Sequence, residues 1–127
     1  MRFMSTRAHG MMDSVLGPAL IALPFALGLD IGKPQGWTLL LLGIALLLLA
    51  GFTDYETGLV PRIPVGTHLT VDAAAGALLA LSPWLFGFSH RIWLPHFLFG
   101  LLELGSAFVT RREATATRHH SVVSRAQ

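Results

Sequence analysis

The sequence predicts an all-α membrane protein. It has four transmembrane helices, arranged as two parallel two-helix hairpin repeats with pseudo-twofold symmetry along the membrane normal. Three observations predict this. First, the chain has 127 residues, 53% hydrophobic and only 13% charged, with a mean hydropathy of +0.61. Soluble domains carry about a quarter charged residues, and a soluble core this small has no room for so much apolar surface, so a bilayer is the better solvent. Second, an offset of 59 positions carries His9 onto His68, Asp13 onto Asp72, Gly17 onto Gly76, Pro24 onto Pro83 and Gly28 onto Gly87. Matches of such distinctive residue types mark an internal repeat. Third, the basic residues fall unevenly on the two sides of the apolar runs.

The start, Met1–Arg7, is short and basic, and an apolar run from about His9 to Leu29 follows. A basic start before an apolar run resembles a secretory signal. The same segment recurs internally at 68–88, so the run is expected to stay in the mature protein as the first helix. Gly32, Pro34 and Gly36 make residues 30–36 a turn. Trp37–Phe52 is almost continuously apolar and with its ends is long enough to span. This is the second helix. Residues 53–67 form the longest connection, broken by Gly58, Pro61, Pro64 and Gly66.

The third helix is His68–Phe88, HLTVDAAAGALLALSPWLFGF. Ser89–Arg91 is a tight turn, and the fourth helix runs from about Ile92 to Thr110. The second and fourth helices match at an offset of 57: Gly43 on Gly100, Ala50 on Ala107, Thr53 on Thr110 and Glu56 on Glu113. The chain is thus a single membrane domain, with repeat one at 9–56, repeat two at 68–113 and a basic tail at 111–127. An even number of crossings brings in the second copy with the orientation of the first, so the repeat is parallel rather than inverted.

Arg2, Arg7, Arg62, Arg111, Arg112, Arg118 and Arg125 fall on one side; Lys33 and Arg91 fall on the other. The positive-inside rule therefore places both termini and the 53–67 loop in the cytoplasm. Trp37, Trp84 and Trp93 then lie toward the outer face as interfacial anchors.

At 100° per residue, His68, Asp72, Ala75, Gly76, Leu79, Ser82 and Pro83 share one stripe. His9, Asp13, Leu16, Gly17, Leu20 and Pro24 share another on the first helix. Leu39, Gly43, Leu46, Ala50 and Thr53 form the stripe of the second helix. On the fourth it is His96, Phe99, Gly100, Glu103, Ala107 and Thr110. These stripes should face protein, because small residues let helix backbones approach closely in lipid.

The candidate polar site is His9, Asp13, His68, Asp72 and Glu103. Each His-x-x-x-Asp pair places both side chains on one helix face. The structural reading is a carboxylate suited to a helix N-terminus with the imidazole as local partner or cap. The sharper reading is a shared site near the twofold axis, able to hold a metal, a head group or a proton. Glu103 costs about 3 kcal/mol on insertion scales. It is either helix glue, through Ser106 or Ser82, or functional. His96 is read as an interfacial residue beside Trp93, with a polar track to Glu103 as the alternative. Asp54, Glu56 and Arg62 belong to the cytoplasmic loop, where Asp54 and Glu56 are expected to pair with the arginines of the start and of Arg111-Arg112. The alternative is a docking surface. Pro24 and Pro83 should each kink their helix.

The Ser82-Pro83-Trp84 tripeptide, the two-helix unit and its doubling resemble the SPW-repeat family of small prokaryotic membrane proteins. The likeness covers about residues 9–113. The first repeat departs from the motif, with Leu23-Pro24-Phe25 in place of Ser-Pro-Trp. The resemblance implies a membrane location and a four-helix architecture, and it implies no reaction.

There are no cysteines, which excludes disulfides, iron–sulfur clusters and thiol catalysis. No nucleophile constellation or cofactor motif stands out either. The chain is therefore read as a non-enzymatic structural, assembly or accessory component of a prokaryotic cytoplasmic (inner) membrane, as a homo-oligomer or a subunit of a complex. The alternative is a proton- or small-ligand-handling protein, by transport or by binding a redox cofactor. No cofactor is expected, because bis-histidine haem ligation needs deeper histidines and a haem-sized gap. Expected partners are the bilayer itself and anionic lipid at the basic tail, at about 1 kcal/mol per basic residue, not nucleic acid.

Overall fold

Ser5 starts the first helix. Its hydroxyl accepts the backbone N–H of Ala8 at 3.1 Å, an N-cap that satisfies one of the orphan donors of the first turn. Helix α1 therefore begins at Thr6, earlier than the apolar run suggests, and continues to Ala26. The structure, a computed structural model, describes residues 1–112, and these hold four helices and no strand. Helix α2 is Pro34–Phe52, α3 is Val65–Leu85 and α4 is Leu94–Val109. The connection between α1 and α2 is residues 27–33 rather than the expected 30–36, because α1 stops at Ala26 and Pro34 occupies the start of α2. A proline there loses no hydrogen bond, since the N–H it lacks is an orphan in any helix.

The glycines matched by the repeat explain where α1 and α3 end. Gly28 and Gly87 have φ of 63° and 70°. The Leu29 N–H reaches Pro24 O at 2.7 Å and the Gly28 N–H reaches Phe25 O at 3.2 Å. Likewise the Phe88 N–H reaches Pro83 O at 2.8 Å and the Gly87 N–H reaches Trp84 O at 3.4 Å. Both are Schellman caps. They require a left-handed residue, which costs an L-amino acid roughly 1–2 kcal/mol. The helices stop at Ala26 and Leu85, short of the expected Leu29 and Phe88, because these caps reverse the chain.

The Ser-Pro step of α3 has an equally local cause. Pro83 has no N–H to give to the carbonyl of Leu79 one turn back. The Ser82 hydroxyl donates to that oxygen instead, at 2.7 Å, from a fully buried position. In apolar surroundings such re-satisfaction is what lets a proline sit inside a helix.

Close packing is organised by glycine. A Cβ on Gly100 would lie 2.3 Å from the Ala80 nitrogen and 2.6 Å from Gly76 O. One on Gly43 would lie 2.9 Å from both Gly17 O and the Ile21 nitrogen. The backbones of α1 and α2, and of α3 and α4, therefore touch where small residues face each other. α2 also packs on α3. Leu16, Leu20, Leu39, Leu46 and Leu79 form the apolar centre, with Leu23, Leu29, Leu42 and Phe99 against it. Every stripe residue named from the sequence on α1 and α2 is buried; on α3 and α4 only Ala75 and Phe99 are half-exposed. Leu41, Leu48, Leu81, Leu98 and Phe108 point outward.

The ends are tied by backbone. Met4 and Thr110 form a parallel bridge, with Met4 N–H on Val109 O and Arg111 N–H on Met4 O, each at 3.1 Å. The Arg2 guanidinium donates to Thr110 O at 3.0 Å. A second parallel bridge joins Thr53 to Ile63. α2 and α3 are each long and apolar enough to cross a membrane; α4 is apolar and 16 residues long. α1 has 21 residues but is less apolar than α3. The basic tail expected to meet anionic lipid lies, beyond Arg112, outside the described residues.

Candidate functional site

One turn into α1 and α3, two imidazoles and two carboxylates converge. His9 Nε2 stands 2.9 Å from Asp72 Oδ2 and 3.4 Å from Asp13 Oδ2. His68 Nε2 stands 3.1 Å from Asp13 Oδ2 and 2.7 Å from Asp72 Oδ2. Nitrogen and oxygen thus alternate around a four-membered ring, drawn half from each hairpin. None of the four residues is more than 1% exposed. The local His–Asp pairs expected within each helix are present, but they cap neither helix: Ser5 is the side-chain cap of α1, Pro64 precedes α3, and Asp13 and Asp72 lie two turns inside.

The outer nitrogens of the rings are held by threonines. His68 Nδ1 is 2.7 Å from Thr53 Oγ1, and His9 Nδ1 is 3.0 Å from Thr110 Oγ1. Each threonine hydroxyl has one hydrogen, and each already donates it to a carbonyl one turn back, Leu49 O at 2.6 Å and Ser106 O at 2.7 Å. Toward the imidazoles the hydroxyls can only accept. Nδ1 therefore carries the proton on both rings, and Nε2 is the nitrogen turned toward the carboxylates.

Tyr55 closes the group from the 53–67 loop. Its ring meets His68 edge-on at 4.8 Å between centroids and His9 at 5.9 Å. Its hydroxyl is buried without a hydrogen-bond partner among the described residues. Burial first, and then the Asp13 and Asp72 carboxylates, push that phenol above its ordinary value. Gly10 faces this loop so closely that a Cβ there would fall 2.3 Å from Thr57 Oγ1. Asp13 Oδ1 is likewise buried and unpartnered.

Glu103 stands apart. It is 3% exposed, and neither of its carboxyl oxygens has a hydrogen-bond partner among the described residues. The expected glue is not made: the Ser106 hydroxyl donates to the backbone O of Glu103 itself, and Ser82 serves Leu79. Glu103 and Asp72 instead line an otherwise apolar groove of about 320 Å³, walled by Leu20, Leu46, Leu49, Phe52 and Leu79.

His96 is not an interfacial side chain, as the sequence suggested. It is fully buried, its Nε2 donates to Gln35 O at 3.0 Å, and its ring lies 4.9 Å from that of Phe88. Trp84 does sit half-exposed, beside Trp93 and Phe97. In the loop, the arginine pairing expected of Asp54 and Glu56 is absent among the described residues. Glu56 accepts the Thr6 hydroxyl at 2.9 and 3.0 Å, while Asp54 and Arg62 are exposed.

The sequence reading passed over the roles of Thr53, Thr110, Thr6 and Tyr55. A signal existed for two of them, since Thr53 and Thr110 match in the repeat, but they served there only to set its register.

No curated protein and no solved structure matches the chain. The family model for the SPW repeat domain matches residues 7–110, from the first turn of α1 to the threonine that holds His9. The match runs across all four helices and includes the Ser82-Pro83-Trp84 step, and the chain belongs to the SPW repeat family.

Proposed function

We propose that the chain is a multi-pass protein of a prokaryotic cytoplasmic membrane, with all four helices crossing and both termini inside. Its role is non-enzymatic: a structural or assembly component, working as an oligomer or a subunit of a membrane complex. One observation carries this reading. Four interior polar residues are turned on each other, with His9, Asp13, His68 and Asp72 at most 1% exposed and both imidazoles held by buried threonines. Such an arrangement joins two hairpins and commits the imidazole nitrogens to contacts within the bundle. The outward leucines and Phe108 suit acyl chains. Arg2, Arg7 and Arg62 at one end and Trp37, Trp84 and Trp93 at the other support the orientation.

The cysteine-free chain makes topology easy to test. Leu59→Cys in the 53–67 loop and Gly32→Cys in the first turn are treated with a membrane-impermeant maleimide. In intact spheroplasts Gly32→Cys labels and Leu59→Cys labels only after lysis. The reverse pattern, or free labelling of both, refutes the orientation.

A second reading, proton or small-ligand handling, is favoured by the unpartnered Glu103 carboxyl in the groove. An intramembrane acid is a functional candidate by default. Proton flux into liposomes that is lost in Glu103→Gln while helix content is kept supports it. Absence of any flux above protein-free vesicles removes it.

A further inference from the structure

We propose that the two histidines and two aspartates at the centre of the bundle form a binding site for one divalent transition-metal ion, with His9 Nε2, His68 Nε2, Asp13 Oδ2 and Asp72 Oδ2 as its ligands. The inference rests on the buried closure described above, but its readout is independent of topology and of oligomeric state.

Three observations carry it. The first is spacing. The four atoms alternate around a ring with edges of 2.9, 2.7, 3.1 and 3.4 Å, and all lie within 4.8 Å of one another. A square of about 3.0 Å edge has its centre about 2.1 Å from each corner, near the bond length of a first-row ion to imidazole nitrogen or carboxylate oxygen, so small shifts of these side chains would seat an ion. The second is the outer shell. Histidines that bind a metal donate their other ring N–H to an acceptor that fixes tautomer and orientation. Thr53 and Thr110 do this for both rings, and their own hydrogens are committed to Leu49 O and Ser106 O. Both rings thus present Nε2 to the same point. The third is charge. Two carboxylates with two neutral imidazoles cancel a doubly charged ion, as burial in an apolar interior demands. Binding of the ion displaces whatever protons are held between Nε2 and the carboxylates.

The donor set also selects the ion. Calcium and magnesium take more ligands and want oxygen. Two imidazoles with two carboxylates suit zinc, cobalt, iron, nickel or copper. Asp13 Oδ1, buried and without a partner, is a further oxygen turned into the protein beside the ring.

The test uses the full chain in nanodiscs, without a histidine tag and with His119→Ala and His120→Ala to remove the tail imidazoles. After chelator treatment, Co²⁺ is added and its visible absorption and bound stoichiometry are read. The expected result is one Co²⁺ per chain, displaced by Zn²⁺, with helix content unchanged. His9→Gln combined with His68→Gln abolishes the cobalt spectrum, whereas His96→Gln leaves it intact. Thr53→Val, which keeps all four ligands, weakens Co²⁺ binding by about 10–100-fold. This variant keeps the test decisive should the double variant fail to fold. Folded protein that takes up no Co²⁺, a spectrum that survives in the double variant, or an affinity unmoved by Thr53→Val would each overturn the assignment.

Discussion

Replacing Asp72 by Asn tests the central contact at nearly constant volume. Asp72 Oδ2 is the shared partner of both histidines, at 2.7 Å from His68 Nε2 and 2.9 Å from His9 Nε2, with all three side chains at most 1% exposed. The substitution removes a charge and leaves Asp13 alone to face two imidazoles. Removing one member of a buried pair costs about 3–5 kcal/mol, because the remaining groups stay buried without compensation. An internal control lies in the first turn. Lys33 and Asp30 form an ion pair 3.7 Å long with both side chains more than half exposed; pairs of this kind contribute under about 1 kcal/mol. Reversible unfolding in mixed micelles, followed by helical circular dichroism, should therefore separate the variants clearly. Asp72→Asn loses at least three times as much stability as Asp30→Asn. Equal losses would refute the reasoning, since they would place Asp72 in a solvated position.

Two further predictions follow from packing and charge. Gly100→Ala puts a methyl 2.3 Å from the Ala80 nitrogen and 2.6 Å from Gly76 O, both backbone, so α3 and α4 must separate; overpacking of this kind costs roughly 1–3 kcal/mol. Gly51→Ala meets nothing within 4 Å and should leave the melting temperature within error, so matched melting curves for the two variants would contradict the packing. The third concerns Tyr55. Its phenol is raised from the ordinary 10.0 by burial and by Asp13 and Asp72. The neutral form is thus the one the fold favours, and that stabilisation is present below pH 10 and lost as pH rises above it. Ultraviolet titration should show no phenolate in folded protein at pH 10.5, whereas a titration centred at 10 would place the ring in solvent.

Much of the fold was legible because its causes are local or periodic. The match of Gly28 to Gly87 marked equivalent positions of the two repeats, and both glycines hold left-handed caps. The helical stripe from His9 to Pro24 was readable for the same reason, since residues three and four apart share a face whatever the tertiary structure. The helix starts were less legible. Ser5 as a cap and Pro34 as a first residue were both available as signals, but the hydropathy runs outweighed them.

The site was half visible. Spacing within a helix placed His68 over Asp72; it did not reveal that Asp72 also serves His9 from 63 positions away. Which side chain crosses to which depends on how the two hairpins pack on each other, and glycine pairs such as Gly76 and Gly100 set only the spacing within a hairpin. Tyr55 was hidden by its loop, which reads as a charged helix end. His96 was misassigned, and the serine contact expected of Glu103 is not made, for a shared reason. Their partners, or lack of them, are decided by backbone groups and by an apolar groove that no pattern in the chain encodes.

The claim on which the rest depends is that His9 and His68 meet inside the bundle, their rings 5.5 Å apart. The chain contains no cysteine, so His9→Cys with His68→Cys can be treated with a short fluorogenic bis-alkylator that lights up only when both of its arms react. The expected result is intramolecular bridging in the folded protein and none in either single variant. Two thiols that instead react separately with a lipid-soluble maleimide, without bridging, would place the histidines on outward faces and contradict the account.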